Sequence, residues 1–125
     1  MTEDGFFKAE EFASKDGKPS PYGPMNVQQC LLDFLNALRL RFGHAIIINS
    51  GYRSPEHNAA VGGVPNSYHT KGLAADIRPS DPADLEELYE LADRMNQTGG
   101  VGHYDTFVHV DRRGIYARWD YRRRK

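Results

Sequence analysis

The 125-residue sequence contains a single cysteine, Cys30, so no disulfide can form within the chain. A thiolate metal cage is excluded for the same reason. Cys30 lies in an apolar helical pattern and reads as a small buried hydrophobe. Long hydrophobic runs are also missing. Nothing approaches the roughly 18 consecutive apolar residues of a transmembrane helix. Neither sign of charge dominates: 16 basic residues face 17 acidic ones, for a formal net charge of −1. Such a balance provides no overall field to draw the chain to nucleic acid or to a membrane surface. The basic end, Arg122 to Lys125, reads as a solvated tail. The start, Met1-Thr-Glu-Asp-Gly, lacks the positive first segment and apolar run of a secretory signal. The expectation is a chain that acts without the standard export route, or one that begins after a removed signal.

What is present suits one compact domain. Apolar residues make up 39% of the chain, enough for one modest core. Residues 1–25 are polar and rich in Gly, Pro and Lys, and Phe6, Phe7 and Phe12 could pin this arm onto a domain over 26–121, leaving 122–125 as the tail. Asn26 is a candidate N-cap for a long helix. Val27, Leu31, Leu35, Leu38 and Phe42 follow at helical spacing, and Gly43 stands where such a helix stops. Ala45 to Asn49 is a β-branched run typical of a buried strand. Ser54 and Pro55 open a short helix through Ala60. Leu73 to Arg78 reads as a second strand. Asp81 and Pro82 start another helix, with Leu85, Leu88, Leu91, Ala92 and Met95 on its apolar face and Gly99-Gly100 at its end. Thr106 to Asp111 alternates as a strand does. Tyr116 to Trp119 reads as the closing strand after a hairpin turn near Arg113-Gly114. Two main helices and about four short strands predict an α+β fold, with a small antiparallel sheet packed against the helices.

The chemistry concentrates in two stretches. In Ser67-Tyr-His69-Thr-Lys-Gly72-Leu-Ala74-Ala-Asp76, a loop histidine precedes an aspartate that interrupts a small apolar strand. Burying that carboxylate is costly unless something pairs with it, and a divalent cation would do so. Gly72 and Ala74 are small enough to let loop and strand pack closely. In Phe107-Val-His109-Val-Asp111, residues 107, 109 and 111 share one strand face. Two histidines and one carboxylate suit Zn²⁺, and three protein ligands leave a fourth position for water, as in catalytic zinc sites. Spacing alone leaves a second possibility open, that these are hydrogen-bonded core residues. His44 and His57 read as capping or solvent-facing residues. His103, after Gly100-Val-Gly102, either lines the same pocket or lies at the surface.

The pattern Ser67-x-His69-x-x-Gly72-x-Ala74-x-Asp76, followed by the Phe-Val-His109-Val-Asp strand, resembles the zinc D-Ala-D-Ala carboxypeptidase family. That family includes L-alanyl-D-glutamate endopeptidases and has a hedgehog-type fold. Phe12, Ile48-Asn-Ser-Gly-Tyr-Arg53-Ser-Pro-Glu-His-Asn58, Gly99-Gly-Val-Gly102 and Ala117-Arg-Trp119 extend the similarity to its compact, single-domain branch. The resemblance runs from about Phe6 to Trp119. It implies that His69, Asp76 and His109 hold zinc. It implies that Arg53 binds substrate or polarises its carbonyl, and that Ser67 lies near substrate. Many members carry an acid three residues before the last histidine, where this chain has Thr106. Asp111 is the first candidate for the missing polar partner, as base or as orienter of a ligand, and Asp105 and His103 are the alternatives.

The implied activity is metal-assisted hydrolysis of peptidoglycan stem peptides, of carboxypeptidase or endopeptidase type. The expected cofactor is zinc and the expected partner a cell-wall peptide, with no nucleic acid, no membrane span and a monomeric state. The origin would be a cytoplasmic or phage- or prophage-encoded protein acting on the wall. The Thr106 departure supports a rival expectation, a non-catalytic zinc-binding module that binds cell wall or a protein partner.

Overall fold

The computed structural model describes residues 6–64 and 66–123. Five strands form one sheet: β1 (Ile46–Ser50), β2 (Ala74–Pro79), β3 (Gly100–His103), β4 (Val108–Asp111) and β5 (Ala117–Asp120), in the order β1-β2-β4-β3-β5. The helices are α1 (Gln29–Phe42), α2 (Pro55–Ala60) and α3 (Leu85–Met95). The α+β expectation holds. Among the described residues no helix is long and apolar enough to cross a membrane.

The period-2 alternation of the strands separates two faces. Ala75 and Ile77 of β2, Val108 and Val110 of β4, and Val101 of β3 point into the core. There they meet Leu31, Leu35 and Leu38 of α1 and Leu88 and Ala92 of α3, all almost wholly buried. Each fully buried large aliphatic side chain contributes about 1.5–3 kcal/mol. Phe7 and Phe12 belong to this same core, so the arm ahead of α1 is packed on the domain. The opposite face carries Asp76, His109, Gly102 and Trp119 in a row across four strands, because Asp76 pairs with His109, His109 with Gly102, and Gly102 with Trp119.

Several local expectations are corrected. Helix α1 begins after Gln28, not Asn26. Asn26 adopts a positive φ of 70° and donates its side-chain amide to the Ala9 carbonyl at 2.9 Å, so it ties the arm down instead of capping the helix. At the other end Gly43 takes the left-handed conformation predicted for it. Cys30 is exposed. It lies one position before Leu31, on the solvent side of α1 with Asp33, Ala37 and Leu40. Helix α3 follows a single 3-10 turn at Pro82–Asp84 and stops at Met95, ahead of Gly99-Gly100. Gly100 already starts β3, a strand whose two glycines and histidine show no apolar alternation. The sheet is not wholly antiparallel. Gly114 has the positive φ of a turn residue, yet β4 and β5 are not hairpin partners, and β5 crosses over to pair with β3 in parallel. Arg122 is not a solvated tail residue: it forms a two-bonded ion pair with Asp120. Arg124 and Lys125 lie outside the described residues.

Candidate active site

Three elements deliver the metal-ligating candidates. His69 sits on a 3-10 turn, Tyr68–Lys71, whose N-cap is Ser67. Asp76 comes from the centre of β2, and His109 from the directly opposed position on β4. Their donor atoms lie within 4.8 Å of one another. His109 Nδ1 is 2.9 Å from Asp76 Oδ1, and His69 Nε2 is 3.4 Å from the same oxygen.

The outer bonds of the two histidines fix how they can act. His69 Nδ1 lies 2.8 Å from the Gly51 carbonyl oxygen, which can only accept, so Nδ1 carries the hydrogen. Neutral His69 therefore turns the Nε2 lone pair toward a carboxylate oxygen. Two acceptors face each other stably only if a proton or a cation lies between them. His109 Nε2 is 2.8 Å from Asp111 Oδ2, leaving Nδ1 on the Asp76 side. Histidines that bond outward to a carbonyl or a carboxylate while presenting the other nitrogen to a centre are the usual pattern of zinc ligation. This donor set fits zinc, with His69 Nε2, an Asp76 oxygen and His109 Nδ1 as the atoms that would hold it.

Electrostatics agree with that placement. Burial would raise the Asp76 carboxyl, but the imidazoles of His109 and His69 beside it outweigh that and hold the group well below the ordinary range. Burial would lower His109, but its bonds to Asp111 and Asp76 push it above the usual histidine value.

The cluster is part of a cleft of about 450 Å³. Arg53 reaches in from the loop after β1, a strand whose register with β2 shifts between Ile48 and Ser50. Its guanidinium contacts Ser50 Oγ, Asn58 Oδ1 and Asp76 Oδ2 at 3.3–3.4 Å. Asn58 is buried and also donates to the Val64 carbonyl, so it links Arg53 to the loop beyond α2. Ser67 lines the cleft, but its hydroxyl accepts the His69 backbone N–H at 3.2 Å, which makes it a cap for the turn that carries the ligand.

The three candidates for proton transfer are not brought together. His103 is on the helix-facing side of β3, stacked on Tyr89 at 3.8 Å and 3.2 Å from Glu86. The alternation of the strand turns it away from His109. Asp105 is exposed in the β3–β4 turn, where it accepts the Arg123 backbone N–H. Asp111 does touch the cluster, but it is fully buried and both of its oxygens are committed. Oδ1 accepts from the N–H groups of Gly100 and Arg113 and from Arg113 Nε, and Oδ2 faces His109 and Arg113 Nη2. It does not line the cleft.

Tyr104, Trp119 and Arg113 do line it. Trp119 Nε1 donates to the Tyr104 hydroxyl oxygen at 2.9 Å. The indole packs where Gly102 has no side chain, since a Cβ there would collide with it. Only the sheet register brings these three residues to one place. None of the three was a candidate site residue from the sequence, where Trp119 entered only through the closing strand and the Ala117-Arg-Trp119 resemblance.

A small α+β domain with a His-Asp-His cluster at the floor of a cleft has the make-up of a metal-dependent hydrolase. The chain belongs to the peptidase M15 family, whose model matches residues 2–111. It is similar to the probable peptidoglycan L,D-endopeptidase MepK of Haemophilus influenzae, with 41% identity over 68 residues. That match covers 49% of this chain and 36% of the relative, so the chain spans only about a third of the curated protein's length.

Proposed function

We propose that this protein is a zinc-dependent peptidase that hydrolyses peptide stems of peptidoglycan, as a carboxypeptidase or an endopeptidase, acting as a monomer. The observation that carries the reading is the convergence of His69, Asp76 and His109 at the floor of a cleft flanked by Arg53. The activity named for the Haemophilus influenzae relative supports the substrate class. Bound zinc supplies Lewis acidity, which makes water a nucleophile near neutral pH and polarises a carbonyl.

The chain's own residues do the rest. Asp111 and the Gly51 carbonyl hold the two imidazoles in the orientation that exposes one nitrogen each. Arg53 is a fixed cation beside Asp76, placed to stabilise negative charge developing on a carbonyl oxygen. Burial raises the Tyr104 hydroxyl above its ordinary value, so it keeps its proton. Because its oxygen already accepts from Trp119, that proton is free to be donated to substrate.

Mass spectrometry of digested peptidoglycan, with and without a chelator, tests the reading. Zinc-dependent release of cut stem peptides by the wild type, lost in His69→Ala, is the expected result. Activity that survives both treatments would refute it. One observation favours a second reading, a zinc-holding module that binds cell wall without cutting it. Among the described residues that line the cleft, Asp76 is the one carboxylate, and it is committed to the cluster. Saturable muropeptide binding without turnover by zinc-loaded protein would select that reading.

A further inference from the structure

Arg113 lines the same cleft as Arg53, and the two guanidinium groups are held differently. Arg53 has a partner on each of its three nitrogens. Arg113 bonds Asp111 through Nε and Nη2, each at 2.8 Å. A guanidinium has five N–H donors in a planar fork. Asp111 takes the side-on edge. The end-on edge, made by Nη1 and the second Nη2 hydrogen, has no partner among the described residues.

The plane of Arg113 is also clamped. Its guanidinium carbon lies 4.6 Å from the Tyr68 ring centre and 5.2 Å from that of Trp119. Aromatic contact on the guanidinium and a carboxylate on one edge leave few orientations open. The Arg113 side chain is 21% exposed, whereas its counter-ion Asp111 is 0% exposed. The positive end therefore faces the cleft and the negative end lies behind it. Arg53, Arg113 and Asp76 are the permanently charged groups at the lining, two cations to one anion, even before a divalent cation is added.

We infer that Arg113 is a specificity-determining residue that holds a free carboxylate of the peptide substrate on its end-on edge. The inference rests on the peptidase reading and deepens it. The preferred substrate is an acidic peptide with a carboxylate within a residue or two of the scissile bond. Its carboxamide counterpart is a poor substrate, because an amide presents one acceptor where the fork needs two. Arg113 takes no part in bond cleavage.

The test uses pairs of stem peptides that differ only in carboxylate against carboxamide, with the full-length wild type and the variants Arg113→Gln and Arg113→Lys. Wild type should show a KM for the carboxylate peptide about tenfold or more below that for the amide, with similar kcat, a difference in the range of one charge-assisted pair. Arg113→Gln should treat the two peptides alike. Arg113→Lys keeps a cation beside Asp111 but not the fork, and should lose most of the preference at unchanged zinc content. Calorimetric binding of the same peptides to zinc-loaded and zinc-free protein gives a readout independent of turnover, and the wild-type preference should persist in both. Equal KM values for the two peptides in the wild type would overturn the inference. So would variants that weaken both peptides to the same extent. If the wild type cleaves neither peptide, the peptidase reading fails and the binding preference alone decides the role of Arg113.

Discussion

At the scale of single residues, the site depends on which nitrogen of each histidine is spoken for. His109 is held between two carboxylates, and its proton is retained above the ordinary histidine value of 6.5. A cation at Nδ1 must displace that proton, so zinc affinity should rise with pH through the neutral range and level off above the raised value. Zinc titrations at several pH values check the sign, and an affinity independent of pH would contradict it. Asp111→Asn should weaken zinc binding by roughly 10- to 100-fold, because the partner that orients His109 is lost. Metal analysis after dialysis against a graded chelator reads this directly. Tyr104→Phe should bind zinc normally, but lower kcat by roughly 10²-fold if its hydroxyl donates to charge developing in the transition state. An unchanged kcat would assign Tyr104 to cleft shape alone.

At the scale of elements, the arm ahead of α1 is joined to the loop after β1 through a short relay. The His57 backbone N–H donates to Ser54 Oγ, and the hydroxyls of Ser54 and Ser14 donate to the Asp16 carboxylate. First the Ser54 bond and then the Ser14 bond bring Asp16 from 3.8 down to about 2. The folded value lies below the unfolded one. The stabilisation is therefore complete above 3.8 and is lost as pH falls through about 2. Denaturant midpoints measured across that window should drop less steeply in Asp16→Asn than in the wild type. The effect should be small, since Asp16 is exposed to solvent.

Elements with strong periodicity were legible in advance. The α1 stripe of Leu31, Leu35, Leu38 and Phe42 is the buried face, and the Ser54-Pro55 start of α2 is as the capping rules require. The convergence of His69, Asp76 and His109 was expected too, from an aspartate inside an apolar strand and from the family resemblance together. What stayed hidden was set by tertiary pairing. Strand β3 consists of Gly, Val, Gly and His, and is a strand only because its neighbours β4 and β5 hold it. The placement of His103 on the far face follows from the register of that strand. Nothing local to Arg113 distinguishes it from Arg112, whose guanidinium instead bonds the buried Asn96 and lies over Phe34.

At the scale of the molecule, the sheet divides the work between its faces. Leu35 is fully buried on the core side. Leu35→Ala should cost about 2–5 kcal/mol of stability by leaving a cavity, while zinc stoichiometry stays intact below the melting transition. Thermal unfolding followed alongside metal content tests that separation, and loss of zinc from the still-folded variant would show that the two faces are coupled. The crossover that places β5 against β3 gives the cleft an order of assembly. The His-Asp-His cluster is complete in the chain at His109, while Trp119 and Tyr121, which also line the cleft, come with β5 and just after it. Docking of β5 thus completes a cleft whose other lining residues, up to Arg113, all precede that strand in the chain.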